Sequence, residues 1–162
     1  MKKSALALAA VLLLITACDS SSSDSAKNGG NGANGGGMGS GSGILGTASD
    51  GSSVTDRIFF ATDSSVVDAE GQAALDKQAA WLKGNTSVNV TVEGHADERG
   101  TREYNIALGE RRATAAKNYL VGQGVPASRI STISYGKERP AVTGNDESAW
   151  SQNRRAVTVV AN

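Results

Sequence analysis

The 162-residue sequence contains one cysteine, one histidine and two prolines. With so few histidine and cysteine side chains, it cannot form the clusters of soft ligands that bind zinc, and it shows no convincing pair of nucleophile and base. Its glycine-rich stretch precedes no strand-helix unit that could cradle a phosphate. Lys plus Arg and Asp plus Glu number 16 each, so no positive field favours nucleic acid. The sequence therefore predicts no metal, no cofactor and no nucleic-acid partner.

Long hydrophobic runs are also absent. The apolar stretch at residues 5–15 is too short to cross a hydrocarbon core of about 30 Å as a helix, and no later segment is longer. It follows two lysines and ends at the small pair Thr16 and Ala17, which is the layout of a secretory signal peptide. We therefore predict that residues 1–17 are cleaved and that no transmembrane helix remains.

The only cysteine, Cys18, directly follows Ile15-Thr16-Ala17, and these four residues resemble the lipobox of bacterial lipoproteins. This resemblance implies a lipidated N-terminal cysteine, whose several acyl chains would anchor it stably to a membrane. The alternative is a thiol that is free or paired between molecules. Residues 19–55 are rich in Ser, Gly and Asn and lack the apolar surface that offsets ordering entropy, so we predict a flexible tether.

From residue 56 onward apolar periodicity appears, and residues 56–162 are long enough for one domain with one core. The patterns predict strands at residues 57–60, 88–92, 130–135 and 155–160, and helices at residues 68–83, 101–122 and 146–153. This β-α-β-α-β-α-β order predicts an α/β (α+β) sandwich with helices covering one sheet.

Two polar residues of the second predicted helix lie on its apolar side. On a helical wheel, Arg112 and Asn105 fall within the apolar arc, whereas Arg111 falls on the polar side. A guanidinium among apolar neighbours must be paired, and Asp97, in the loop entering the helix, is the natural partner. One interpretation is an internal Asp97–Arg112 salt bridge. The other is a zwitterion site, in which a carboxylate, a guanidinium and the Asn105 amide recognise an ammonium and a carboxylate.

Three motifs carry a family resemblance: HADERGT at residues 95–101, EYN at 103–105 and LGERRA at 108–113 are similar to OmpA-like peptidoglycan-binding domains. The resemblance extends over about residues 58–160 and is closest to the lipid-anchored members, the peptidoglycan-associated lipoproteins of the Tol system. It implies an OmpA-like fold with helices packed on one mixed sheet. It also implies non-covalent binding to meso-diaminopimelate of uncrosslinked peptidoglycan stem peptides, and partnership with TolB and the Tol complex.

The resemblance also implies roles for single residues. Asp97 would take the ammonium of diaminopimelate and Arg112 its carboxylate, with Asn105 in support. Asp63, Phe60 and Arg154 are further candidates for the pocket, and their alternatives are a helix-capping acid, a core aromatic and a surface charge. Ala61 departs from the family, because many relatives carry an acid there.

Location follows from the lipobox and the resemblance, which together imply a protein anchored in the outer membrane with its domain in the periplasm. Asp19 resembles a signal that retains lipoproteins in the inner membrane of enteric bacteria, but sorting rules differ among lineages.

The main alternative function is that of a wall-binding lipoprotein with a sensor or structural role outside the Tol system. A wall hydrolase using His95 and Asp97 lacks the supporting groups, so we do not expect an enzyme.

Overall fold

The computed structural model describes residues 43–161, so the predicted signal peptide, Cys18 and most of the predicted tether lie outside the described residues. The described part contains six strands and three α-helices. In chain order they are β1 (Ile44–Thr47), β2 (Ser53–Thr55), β3 (Arg57–Phe59), α1 (Ala69–Gly84), β4 (Asn89–His95), α2 (Arg102–Gly122), β5 (Ile130–Gly136), α3 (Glu147–Asn153) and β6 (Arg155–Ala161). From β3 onward this is the predicted alternating order.

The hairpin formed by β1 and β2 corrects the predicted tether boundary. The two strands pair antiparallel, and Val54 is completely buried, although residues 19–55 were predicted to be flexible. Gly46 packs directly on the indole of Trp81 in α1, and a Cβ at this position would lie 2.4 Å from that ring. The hairpin was missed because its few apolar residues need a partner from a distant helix, which a local polar composition does not indicate.

The main sheet has four strands in the order β3-β6-β4-β5. β6 pairs antiparallel with both β3 and β4, whereas β4 and β5 are parallel, so the sheet is mixed. A parallel pair needs a crossover connection, which α2 supplies. The fold class implied by the sequence, with helices on one mixed sheet, is therefore confirmed.

Each α-helix begins at a polar cap residue. Asp68, Thr101 and Asp146 each accept a hydrogen bond from a backbone N–H of the first turn, which satisfies one of the donors left unpaired at a helix start. The apolar sides of α1 and α2 pack on the sheet and form the core with residues Ile58, Phe60, Leu75, Ala79, Leu82, Val90, Val92, Ala113, Ala116, Leu120, Val125, Ile130 and Ala156. Among residues 43–161, no helix combines the length and the apolar character needed to cross a membrane.

Two glycines allow α2 to approach the end of β4 very closely. A Cβ on Gly94 would lie 1.8 Å from the carbonyl oxygen of Gly109, so the backbones of strand and helix are in direct contact. No larger residue fits at such a crossing. This contact holds the first half of α2, including Asn105, beside the loop that follows β4.

Candidate functional site

A pocket of about 330 Å³ lies where β4 ends and the chain turns into α2. The segment after β3 forms its other wall. Three of the predicted site residues, Asp63, Asp97 and Asn105, line this pocket. The lining residues are Thr62, Asp63, Asp97, Arg99, Gly100, Tyr104, Asn105 and Leu108. The other three predicted residues, Phe60, Arg112 and Arg154, do not line the pocket, although Arg154 Nη1 lies 3.5 Å from Asp97 Oδ2.

The carboxylate of Asp97 is the acidic centre of the site. Its Oδ1 accepts hydrogen bonds from the backbone N and the Nε of Arg99, at 3.1 and 3.0 Å, and its Oδ2 accepts from Arg99 Nη2 at 2.6 Å. Arg154 Nη1 lies 3.5 Å from the same Oδ2. Burial opposes ionisation of this group, but the hydrogen bonds from Arg99 and Arg154 outweigh it and lower its pKa below the ordinary value. The site therefore holds a negative charge at neutral pH.

Arg112 is fully buried, as its place on the helical wheel predicted, while Arg111 is exposed. Its partners differ from the prediction. The guanidinium donates to the carbonyl oxygens of Ser64 at 2.8 Å, His95 at 2.8 Å and Ala61 at 3.1 Å. The interpretation of an internal Asp97–Arg112 salt bridge is therefore wrong, because Arg99 and Arg154 are the cations paired with the Asp97 carboxylate.

The environment of Arg112 explains how a buried cation is tolerated. Burial lowers its pKa to about 10, and the negative charge of Asp97 favours its protonated form, so it remains charged at neutral pH. Its guanidinium also lies over the ring of Phe60, 5.2 Å from the centroid. Carbonyl oxygens from two segments thus take the place of the anion expected beside a buried guanidinium. A direct contact between Arg112 and a ligand carboxylate stays a prediction.

Asn105 is buried and holds the loop rather than pointing freely into the pocket. Its Nδ2 donates to the carbonyl oxygen of Arg99 at 2.8 Å. Asp63 lies on the opposite wall with a positive φ of 53°, and its carboxylate accepts a hydrogen bond from the hydroxyl of Tyr104. The alternative that Asp63 caps a helix is wrong, because Asp68 caps α1.

Arg154 connects Asp97 to the backbone of Phe60. Arg154 is almost completely buried, so the alternative of a surface charge is wrong. Its Nε donates to the carbonyl oxygen of Phe60 at 3.0 Å, and its Nη2 pairs with Glu147 at the start of α3. Phe60 is a core aromatic, as one of the sequence interpretations held.

Arg99 and Trp150 are site residues to which the sequence analysis gave no role. The Arg99 guanidinium lies over the Trp150 ring, 4.2 Å from its centroid, and Trp150 Nε1 donates to Glu98 Oε1 at 3.1 Å. Lys137 secures the same loop through the carbonyl oxygens of Glu98 and Gly100. The side chain of Asp97 accepts a hydrogen bond from the backbone N–H two residues on, and an Asp that makes this bond is typical of a turn, which is the local signal that was available.

His95 precedes this loop and does not line the pocket. It is 2% exposed, and its ring packs against Tyr135 with the centroids 5.6 Å apart. Neither ring nitrogen has a hydrogen-bond partner among the described residues, and Nε2 lies 3.6 Å from the Glu93 carboxylate. Within residues 43–161, no group of three or more histidine, cysteine or acidic side chains is placed to hold a metal ion.

Known proteins are similar to this chain both in sequence and in fold. The profile of the OmpA family matches residues 59–154. The peptidoglycan-associated lipoprotein of Rhizobium meliloti (strain 1021) is 54% identical over 137 residues, which is 84% of this chain and 78% of that protein. The peptidoglycan-associated lipoprotein of Pseudomonas aeruginosa is 47% identical over 154 residues, covering 92% and 91% of the two chains.

A solved structure also has a fold similar to that of this chain. The crystal structure of the peptidoglycan-associated lipoprotein from Burkholderia pseudomallei superposes with a TM-score of 0.64 at 40% identity, covering 66% of this chain and 91% of that chain. The profile spans more than half of the chain and the relatives match most of its length, and on this basis the chain belongs to the OmpA family.

Proposed function

We propose that this chain is a lipoprotein that binds peptidoglycan non-covalently through the pocket beside Asp97. Relatives that match most of the chain carry the name peptidoglycan-associated lipoprotein, which supports the ligand class and the lipid anchor. Within peptidoglycan, the proposed ligand is meso-diaminopimelate in uncrosslinked stem peptides, whose free stereocentre presents an ammonium and a carboxylate.

The observation that carries this proposal is an ionised carboxylate in a small open pocket. Asp97 is 7% exposed, it lines the pocket, and its pKa is held low by two arginines. An ammonium that enters the pocket therefore meets a fixed negative charge in a partly desolvated position, where charge-assisted hydrogen bonds are stronger than in water. Asp97 is the acceptor expected for the ligand ammonium.

Binding without cleavage is part of the same proposal. Among the described residues, the single histidine is packed under Tyr135 and does not reach the pocket that contains Asp97. General acid–base catalysis requires a group within hydrogen-bond reach of the reacting atoms. Asp97, paired with two guanidinium groups, offers a fixed charge for binding.

The proposal for the wider role rests on the lipobox and on the family resemblance. We propose that Cys18 carries the lipid, that the protein is anchored in the outer membrane, and that it acts with TolB in the Tol-Pal system during envelope constriction. In this arrangement, each contact between one protein and peptidoglycan needs only a modest affinity to keep the membrane attached to the wall. Many anchored copies face a polymer that repeats the same ligand, so effective concentration maintains attachment.

A pull-down with purified sacculi tests the proposal. The full chain should sediment with sacculi that contain diaminopimelate, and Asp97→Asn should reduce the bound fraction at least tenfold, because the ammonium loses its charged acceptor. Glu103→Gln is the matched control: Glu103 is an exposed acid in the first turn of α2 that does not line the pocket, and its loss should change binding less than twofold. Unchanged binding of Asp97→Asn would contradict the site, and no binding of the wild type would contradict the function.

A further inference from the structure

The hairpin formed by β1 and β2 lies between the predicted tether and the core. The described chain enters it at Gly43, whose carbonyl oxygen accepts a hydrogen bond from the backbone N of Asp56 at 3.1 Å. Ile44 then pairs with Thr55, and the turn at residues 48–52 closes the far end of the hairpin. The point where the predicted tether arrives and the point where the chain continues into β3 are therefore neighbours at the open end.

The two strands of the hairpin are held unequally. β2 is fixed to the core, because Val54 is completely buried and the carbonyl oxygen of Thr55 accepts a hydrogen bond from Gln78 of α1 at 2.9 Å. β1 has four residues, all of them exposed or half-buried, and its pairing with β2 shifts register between Ile44 and Gly46. β1 can therefore separate from β2 while β2 keeps its contacts with the core.

Tension on the tether loads this hairpin in the geometry that opens its bonds one at a time. A pull at Gly43 is resisted at Asp56, whose carbonyl oxygen accepts a hydrogen bond from the backbone N of Thr158 in β6 at 2.7 Å. Because both points lie at the open end, the load acts first on the bond between Gly43 and Asp56 and then on each following bond. Two-stranded hairpins are marginally stable by themselves. Beyond Asp56 the chain is held more firmly, since Ile58 and Phe60 are buried in the core.

We infer that the hairpin is a load-dependent extension of the tether, which unzips under tension between membrane and wall while the rest of the domain stays folded. This inference rests on the proposed function, since tension requires both a lipid anchor and binding to the wall. Unzipping frees residues 43–55, and these 13 residues add roughly 45 Å of reach when fully extended. When the tension falls, β1 pairs again, because β2 remains on the core as its template.

Optical tweezers applied to the chain from Cys18 onward test this inference. The protein is produced without its signal peptide, so that the Cys18 thiol provides one handle, and Glu103→Cys provides the other on the exposed neighbour of the pocket residue Tyr104. This protein should lengthen first by roughly 45 Å, at a force below that which unfolds the core, and should shorten again on relaxation. A first step that releases the hairpin together with the core would overturn the inference.

Two glycine variants of the same two-handle protein show whether β1 is the element that opens. Gly46→Ala prevents docking of β1 on α1, because a Cβ there would lie 2.4 Å from the Trp81 ring, and the variant should lose the first step or show it at a clearly lower force. Gly84→Ala is the matched control, because a Cβ on Gly84 meets nothing within 4 Å, and its first step should be unchanged. An unchanged first step in Gly46→Ala would contradict the role of β1.

Hydrogen exchange of the full chain provides a second measurement that needs no substitution. The amide of Asp56 is protected by β1 through the carbonyl oxygen of Gly43, whereas the amide of Thr158 is protected by the carbonyl oxygen of Asp56 itself. If β1 opens alone, the protection factor of the Asp56 amide should be at least tenfold smaller than that of the Thr158 amide. Equal protection of the two amides would show that the hairpin opens only with the whole fold, and would overturn the inference.

Failure of this inference differs from failure of the proposed function. A protein that sediments with sacculi but shows no separate first step binds the wall and has no extension, so only the inference falls. A protein that shows the first step but does not bind sacculi would remove the proposed function, and with it the source of the tension.

Discussion

Arg112 Nη1 donates to the carbonyl oxygen of His95 at 2.8 Å, which ties the middle of α2 to the last residue of β4. The same side chain also holds Ala61 and Ser64. Arg112→Ala should therefore lower the free energy of unfolding by about 3 kcal/mol or more, because it leaves three buried carbonyl oxygens without their donor. Urea denaturation measures this loss.

The neighbouring arginine provides the control for that prediction. Arg111 is exposed, so Arg111→Ala should change stability by less than about 0.5 kcal/mol. Equal losses for both variants would mean that Arg112 does not carry the network described above. A loss of wall binding in Arg112→Ala is informative only after its folding has been measured.

The contact between Gly94 and Gly109 predicts a second stability difference. Gly94→Ala would place a methyl group on the backbone of α2, and we expect destabilisation by about 3 kcal/mol or more. Gly122, the last residue of α2, has open space around its Cβ position, so Gly122→Ala should be neutral or stabilising by up to about 1 kcal/mol. The midpoint of thermal unfolding should fall clearly in Gly94→Ala, whereas in Gly122→Ala it should stay the same or rise.

Binding through Asp97 should be insensitive to mild acid. Its pKa is lowered from the ordinary value of 3.8, so the carboxylate stays ionised from pH 7 to pH 5 and binding of a diaminopimelate peptide should change by less than about twofold. The stability it contributes is present above pH 3.8 and lost as pH falls through the lower folded pKa. A binding midpoint near pH 6 in calorimetric titrations would show that another group controls the ligand.

His95 should make the stability of the fold depend on pH near neutrality. Burial lowers its pKa below 6.5, although Glu93 opposes this effect, and Arg155 and the Arg139 backbone also act on the ring from neighbouring segments. The unfolded chain therefore takes up a proton first as pH falls below 6.5, and the folded state loses stability by at most about 1.4 kcal/mol per pH unit.

Comparing the wild type with His95→Phe isolates that contribution. Phenylalanine keeps a planar ring against Tyr135 but cannot be protonated, so the difference in unfolding free energy between the two proteins should change between pH 7.5 and 5.5. The wild type should lose stability relative to the variant as pH falls. A constant difference over this interval would show that His95 is not buried in its neutral form.

The sequence predicts those parts of the site that depend on local periodicity. The burial of Arg112 and Asn105 and the exposure of Arg111 follow from the helical wheel, because the apolar side of α2 must face the sheet whatever its neighbours are. The cap residues Asp68 and Thr101 also set the helix starts within one residue, since their side chains bond to the first turn.

The partners of the buried charges could not be predicted in the same way. Charge balance allowed Asp97 to pair with Arg112, and only the three-dimensional arrangement shows that Arg99 and Arg154 pair with it instead. Arg154 reaches the site because β6 lies between β3 and β4, a strand order that no local pattern encodes. The hairpin at residues 44–55 depends in the same way on Trp81.

The bond from Arg154 to the carbonyl oxygen of Phe60 joins residues that are 94 positions apart, and Arg154 also reaches Asp97. Closing such long loops is slow, because their entropy must be lost before the contacts form. The site around Asp97 is therefore complete only when Arg154, which directly precedes β6, is in place. A ligand that binds there, as proposed, would bind only the finished structure and would therefore stabilise only that structure.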